Sequence, residues 1–123
     1  MTFVDVNVLL DILLDRAHFS DSIKSISTPG TYCISTVSLS TTMYYVEKYK
    51  KDLSAVQTFL DSFMLLSVTS IDAAWAFDNY AGKDYEDALQ VACALRQGCT
   101  KLVTLDKDLA RKYSRDIKVK LIG

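Results

Sequence analysis

Short apolar runs without a helical period alternate along this chain with stretches that have one, and this alternation restricts the fold more than any single residue does. Thr2-Phe3-Val4 is a β-prone start closed by Asp5, and Tyr32-Cys33-Ile34-Ser35 is a second strand. Phe63-Met64-Leu65-Leu66-Ser67-Val68 is a continuous apolar run of the kind found in buried parallel strands. Lys101-Leu102-Val103-Thr104 is a fourth strand, and Lys118-Val119-Lys120-Leu121-Ile122 alternates as an edge strand does. Between them, helices are predicted over Val8 to Arg16 with Asn7 as N-cap, Ser20 to Ser27, Ser38 to Tyr49, Asp52 to Ser62 capped by Asp52, Ile71 to Tyr80, and Leu109 to Ser114. Asp11 and Asp15, four apart, are expected to share one polar edge of the first helix. Pro29-Gly30 is the clearest break. Strands alternating with helices predict an α/β fold with a mostly parallel central sheet. With 123 residues and no repeat, linker or low-complexity stretch, one domain over 1–123 is expected.

One further helix carries the chemistry. Lys83-Asp84-Tyr85-Glu86-Asp87 leads into Ala88-Leu89-Gln90-Val91-Ala92-Cys93-Ala94-Leu95, so three acids in four positions precede a helix apolar on several faces. Asp84 and Asp87 lie on one side of its first turn. Alone, the pair reads best as an N-cap and an acidic third residue, which stabilise many helices. Asp5 and Asp106 change the weighting, because each directly follows a predicted strand. Ligands of open α/β sheets bind at the carboxyl ends of the strands, where these acids would converge. Clustered carboxylates repel one another unless protons or cations neutralise them, so Mg²⁺ or Mn²⁺ is the natural occupant. Such an ion activates water and offsets charge on a phosphate being cleaved.

The net charge of -1 gives no global attraction to nucleic acid, but it is unevenly spread. Residues 101–123 hold seven Lys or Arg against three Asp, a balance of +4 that leaves -5 for the rest. Cys33, Cys93 and Cys99 are odd in number and lack CxxC spacing, which argues for reduced thiols and against a zinc or disulfide framework. Asp5 and Asp11 interrupt the early apolar run and no basic segment precedes it, so no secretory leader is expected. No run has the length of a membrane span, and a cytoplasmic setting is the expectation. His18, the single histidine, has no triad context and is expected at the surface. Tyr44, Tyr45 and Tyr49 interleave with Lys48, Lys50 and Lys51; packing into core or a dimer contact is favoured over stacking on single-stranded RNA. Trp75 and Phe77 are expected in core or an interface, and no glycine-rich phosphate loop is present.

Three stretches, Asp5-Val6-Asn7-Val8-Leu9-Leu10-Asp11, Asp84-Tyr85-Glu86-Asp87-Ala88-Leu89-Gln90 and Val103-Thr104-Leu105-Asp106-Lys107-Asp108-Leu109, resemble the ordered motifs of the PIN-domain family. The resemblance spans essentially the whole chain. It implies a three-layer α/β/α sandwich and a metal-dependent ribonuclease using Mg²⁺ or Mn²⁺, as in many toxins of bacterial toxin-antitoxin pairs. It also implies an RNA substrate, a possible antitoxin partner and a homodimer. By this resemblance Asp5, Asp87 and Asp106 match the metal-binding and catalytic acids, and Asp84 an accessory metal position. Asn7, Thr42 and Thr104 are expected as polar groups supporting those acids, and Asp108 as a cap or support of the following helix.

One position departs from the family. Aligning Met43-Tyr44-Tyr45-Val46 with the segment after the second strand puts Thr42 where a Glu commonly stands. Glu47 cannot replace it, because five residues along a helix turn it away from that face. The departure bears on a second metal and on efficient cleavage. The alternative is therefore a weak or inactive module that binds RNA or a protein partner. A phosphatase of the haloacid-dehalogenase type ranks third, since Asn7 stands where that chemistry wants a second acid.

Overall fold

The three central strands of the sheet feed two cores, because successive side chains point to opposite faces. The computed structural model describes residues 1–123. In β1 (Thr2–Val4), β2 (Tyr32–Ser35) and β4 (Lys101–Thr104), one residue of each adjacent pair joins one core and its neighbour the other. Phe3, Cys33 and Leu102 turn to the side of α5 (Ser70–Asn79), α6 (Tyr85–Arg96) and α7 (Lys107–Tyr113). Val4, Ile34 and Val103 turn to the side of α1 (Val6–Leu13), where Phe59 and Leu60 of α4 (Leu53–Leu60) also pack. Helices on both faces of a sheet make a three-layer α/β/α sandwich, as expected.

All five strands are parallel, in the order β3-β2-β1-β4-β5, with β3 at Met64–Leu66 and β5 at Lys118–Leu121. Phe3 is in register with both Cys33 and Leu102. From β1 the chain moves outward to β2 on one side, while β4 lies on the other, so the carboxyl ends of β1 and β4 flank a topological switch point. α6 lies over this part of the sheet and is buried at every residue from Ala88 to Ala94. It stops where Gly98 takes a left-handed φ of 80°, a conformation glycine adopts freely. α5 is fixed to α6 by Asp72, 1% exposed, which accepts two hydrogen bonds from Arg96 at 2.8 and 3.0 Å. No helix is long and apolar enough to cross a membrane.

Several local expectations are corrected. The N-cap of α1 is Asp5 rather than Asn7, its carboxylate accepting from the Val6 N–H at 2.8 Å, so the helix starts two residues early. Asp11 and Asp15 do not share a solvent edge. Asp11 is buried and ties α1 to α2 (Phe19–Ser25), accepting from the Ser22 hydroxyl at 2.6 Å and the His18 N–H at 3.2 Å. Asp15 lies beyond the helix at φ 50°. β3 is not buried on both faces; it is an edge strand with Met64 and Leu65 about half exposed. Tyr44 and Tyr49 are exposed, and with Tyr45 they pack on one another along α3 (Thr36–Lys48). Trp75 packs against the core as expected, whereas Phe77 is exposed beside Tyr80 and Tyr85.

Candidate active site

Two strand ends supply the floor of the site. The first residue after β1, Asp5, is 3% exposed and donates its N–H to the Val103 carbonyl at 3.0 Å, which holds it against β4. Its second carboxylate oxygen accepts from the Thr104 hydroxyl at 2.7 Å. Thr104 also accepts from the Asp106 N–H at 3.0 Å and the Asn7 side-chain amide at 3.3 Å, and Asn7 in turn accepts from the Leu105 N–H at 3.2 Å. Asn7 and Thr104 thus join the two strand ends behind the acids. Asp106 caps α7 with Oδ1, which accepts from the N–H groups of Asp108 and Leu109 at 2.8 and 3.2 Å. Of the two roles expected of Asp108, the cap is made by Asp106, while Asp108 supports α7 as the acid of its first turn and a surface partner of Arg111.

The first turn of α6 brings the remaining acids. The Asp87 carboxylate makes no hydrogen bond within the protein, so nothing fixes its charge except its surroundings. Burial and the charges of Asp5, Asp106, Asp84 and Glu86 push its carboxyl up to about 7. Burial likewise raises Asp5 to about 6, against the lowering hydrogen bonds of Thr104 and Val6 and with a further push from Asp106 and Glu86. These are the responses of anions held near one another in a half-dry place. Asp84 behaves oppositely. It occupies the N-cap position of α6 without capping, accepting instead from the Ala81 N–H at 2.7 Å, Lys112 Nζ at 2.7 Å and the Tyr113 hydroxyl at 2.9 Å. Partial burial opposes its ionisation, but those hydrogen bonds outweigh it and hold the carboxyl down at about 2.

Asp84, Asp87, Asp106 and Asp108 line an open cavity of about 560 Å³ with Lys83, Arg111 and Lys112; Asp5 is buried outside this lining and is linked to Asp106 through Thr104. As the side chains stand, no three His, Cys, Asp or Glu groups form a ready-made cage for an ion. The donor set nevertheless fits a hard divalent cation: oxygen ligands only, with two carboxyl groups whose ionisation is opposed by their neighbours and would be relieved by positive charge.

Thr42 makes no hydrogen bond to these acids. It is fully buried, and its hydroxyl donates to the Ser38 carbonyl one turn back in α3 at 2.7 Å. Two participants escaped the sequence reading. Glu86 adds its charge to both Asp5 and Asp87 and faces the Thr41 hydroxyl at 3.4 Å. Gln90, 1% exposed, accepts from the Ser35 hydroxyl that caps α3, while its Nε2 has no partner. A polar residue inside a run of buried Ala, Leu and Val was the signal available for Gln90.

A family model for the PIN domain matches residues 2–114. The chain is 29% identical, over 128 aligned positions covering 95% of it and 87% of the relative, to Ribonuclease VapC1 of Aquifex aeolicus. Among solved structures it resembles a toxin-antitoxin complex from Klebsiella pneumoniae, with a TM-score of 0.77 at 18% identity over 98% of this chain and 96% of that one. It also resembles Mycobacterium tuberculosis VapC20, a sarcin-ricin-loop-cleaving toxin, with a TM-score of 0.71 at 17% identity over 90% and 94% of the two chains.

Proposed function

Because the chain belongs to the PIN-domain family, we propose that its acidic cavity is the active centre of a metal-dependent ribonuclease, the toxin of a toxin-antitoxin pair. The observation that carries this reading is geometric: Asp87 and Asp106 line one cavity beside the switch point, and Thr104 hydrogen-bonds both Asp5 and the Asp106 N–H; burial and neighbouring acids accordingly push the Asp5 and Asp87 carboxyls up. The curated relative, a ribonuclease, supports the same reaction class.

In this proposal Asp5, Asp87 and Asp106 hold Mg²⁺ or Mn²⁺. When bound, the ion supplies an activated water and offsets charge on the phosphate. The chain's own groups do the positioning. Thr104 and Asn7 keep Asp5 and Asp106 at fixed places on adjacent strand ends. Asp87, whose carboxylate has no hydrogen bond of its own, is the acid most free to turn toward a cation. Asp84 fixes Lys112 on the cavity wall, and its accessory metal position, expected from the sequence, belongs to the same proposal. Lys83, Arg111 and Lys112 bring positive charge to a substrate phosphate.

The direct test is Mn²⁺ titration by calorimetry on wild type and Asp87→Asn, followed by cleavage of mixed RNA. Wild type should bind and cleave; the variant should lose both while unfolding at no lower temperature. An Asp87→Asn protein that cut RNA as fast as wild type would remove the assignment. One observation favours a second reading: Thr42 spends its hydroxyl on its own helix, leaving α3 without an acid at that place. Metal binding without cleavage of any RNA would select that reading, a module that binds without cutting. A small antitoxin and a homodimer belong to the proposal, the former supported by the Klebsiella neighbour. Gel filtration of the protein, alone and co-expressed with its genomic neighbour, tests both.

A further inference from the structure

Lys112 lines more than the acidic cavity. A second cavity of about 410 Å³ is lined by Asn79, Lys112, Tyr113, Arg115 and Asp116. Lys112 is common to both. Its ammonium is pinned between Asp84 at 2.7 Å and the Tyr113 ring, 5.0 Å from the centroid. An ammonium has three donors. Asp84 takes one, so the group can serve a second anion without being released from the first. Arg115 is exposed and makes no ion pair, unlike Arg96, Arg111 and Lys112, so its guanidinium charge is unspent apart from nearby Asp116. The chain's positive balance is concentrated in residues 101–123, which include this wall.

We propose that a single-stranded RNA leaves the acidic cavity across Lys112 and is held by its phosphates in the second cavity, with Arg115 as the residue that grips it. The inference rests on the ribonuclease reading for the identity of the strand. A nuclease that cuts within a chain must hold nucleotides beyond the scissile phosphate. Of the two cavities that share Lys112, the first is lined by four carboxylates, Asp84, Asp87, Asp106 and Asp108, and the second by Asp116 alone. That change of charge favours a polyanion's flanking phosphates away from the acids.

The test uses full-length protein in Ca²⁺ with fluorescein-labelled 2′-O-methyl oligouridylates, one of two nucleotides and one of eight, read by anisotropy across a salt series. Arg115→Ala should weaken the longer probe about five-fold at 0.1 M salt and lower its salt slope by about 0.7, the value for one phosphate contact on a single strand. Arg115→Glu should weaken it further, and the dinucleotide should bind all forms alike. Equal binding of the longer probe by wild type and both variants would overturn the inference, as would equal weakening of the two probes. Loss of poly-glutamate binding in Arg115→Glu with RNA binding unchanged would also overturn it, assigning the cavity to an acidic polypeptide. The two readings fail separately. If wild type cuts no RNA but the longer probe still needs Arg115, the ribonuclease reading falls and the strand path stands. If wild type cuts RNA and Arg115 proves irrelevant to binding, the reverse holds.

Discussion

Asp106 divides two tasks between two oxygens. Oδ1 accepts from the Asp108 and Leu109 N–H groups at the start of α7, and Oδ2 makes no hydrogen bond within the protein. The cap needs only an acceptor, whereas a cation and its repelling neighbours respond to charge. The two roles are therefore separable by substitution. Asp106→Asn should keep the cap, leave the unfolding free energy within about 0.5 kcal/mol of wild type, and lose metal binding and cleavage. Asp106→Ala should lose the same activity and about 1 kcal/mol of stability besides. Urea unfolding of the two variants, run beside Mn²⁺ calorimetry, decides it. Equal stability loss in both would show that charge rather than acceptance makes the cap.

At the scale of elements, the joint between the β1 and β4 ends depends on Thr104, which is fully buried and serves Asp5, Asn7 and Asp106 together. Thr104→Val keeps the shape but leaves the Asp5 oxygen and the Asp106 N–H without that partner. It should cost about 1–3 kcal/mol in urea unfolding and weaken Mn²⁺ binding, because the acids lose their common support. The α5–α6 joint is an ion pair with Asp72 buried and Arg96 28% exposed. Arg96→Leu removes the partner of Asp72 and should lower stability in urea unfolding, with metal affinity reduced only as far as α6 shifts. The same joints explain what the sequence made legible. Buried parallel strands leave unbroken apolar runs, so β1, β2 and β4 were visible residue for residue. The helices after them were each read two residues late: α1 starts at Val6, α3 at Thr36 and α7 at Lys107. At all three joints the residue that leaves the strand or follows it closely, Asp5, Ser35 or Asp106, is itself the cap, so no loop exists for a loop-based reading to find. The positions of Asp5, Asp87 and Asp106 were legible because strand ends and helix starts are local features. The hold of Lys112 on Asp84 and of Ser35 on Gln90 was not, since those partners are 28 and 55 residues apart and meet only in the folded chain. The exposure of β3 was equally hidden, because edge position belongs to strand order rather than to the strand.

For the whole molecule, the acidic cavity sets how stability varies with pH. An acid whose folded pKa is raised is more easily ionised in the unfolded chain. Its contribution to stability is thus complete below the unfolded value near 4 and is lost as pH rises through the folded value. Asp5, raised to about 6, and Asp87, raised to about 7, both follow this course, so their loss falls between about pH 4 and pH 7. Asp84 runs the other way: held down at about 2, its contribution is complete above pH 4 and disappears only as pH falls toward 2. It is flat in the window where the raised pair changes. Metal-free protein should therefore melt lower at pH 8 than at pH 5. Asp87→Asn removes the larger of the two raised groups and should recover on the order of 1 kcal/mol at pH 8, about 4 °C. Saturating Mn²⁺ should act in the same direction for a different reason, since a cation bound only by the folded state at a hundred times its Kd adds about 2.7 kcal/mol. Thermal melts at the two pH values, with EDTA and with Mn²⁺, separate the causes. Mn²⁺ should raise the melting temperature of wild type far more at pH 8, where the acids are ionised, than at pH 5, where protons compete for them. It should do little for Asp87→Asn at either. A metal-free protein that melted higher at pH 8, unmoved by Asp87→Asn, would mean that the acids are neither desolvated nor close enough to repel, and the cavity would then have no electrostatic reason to take up a cation.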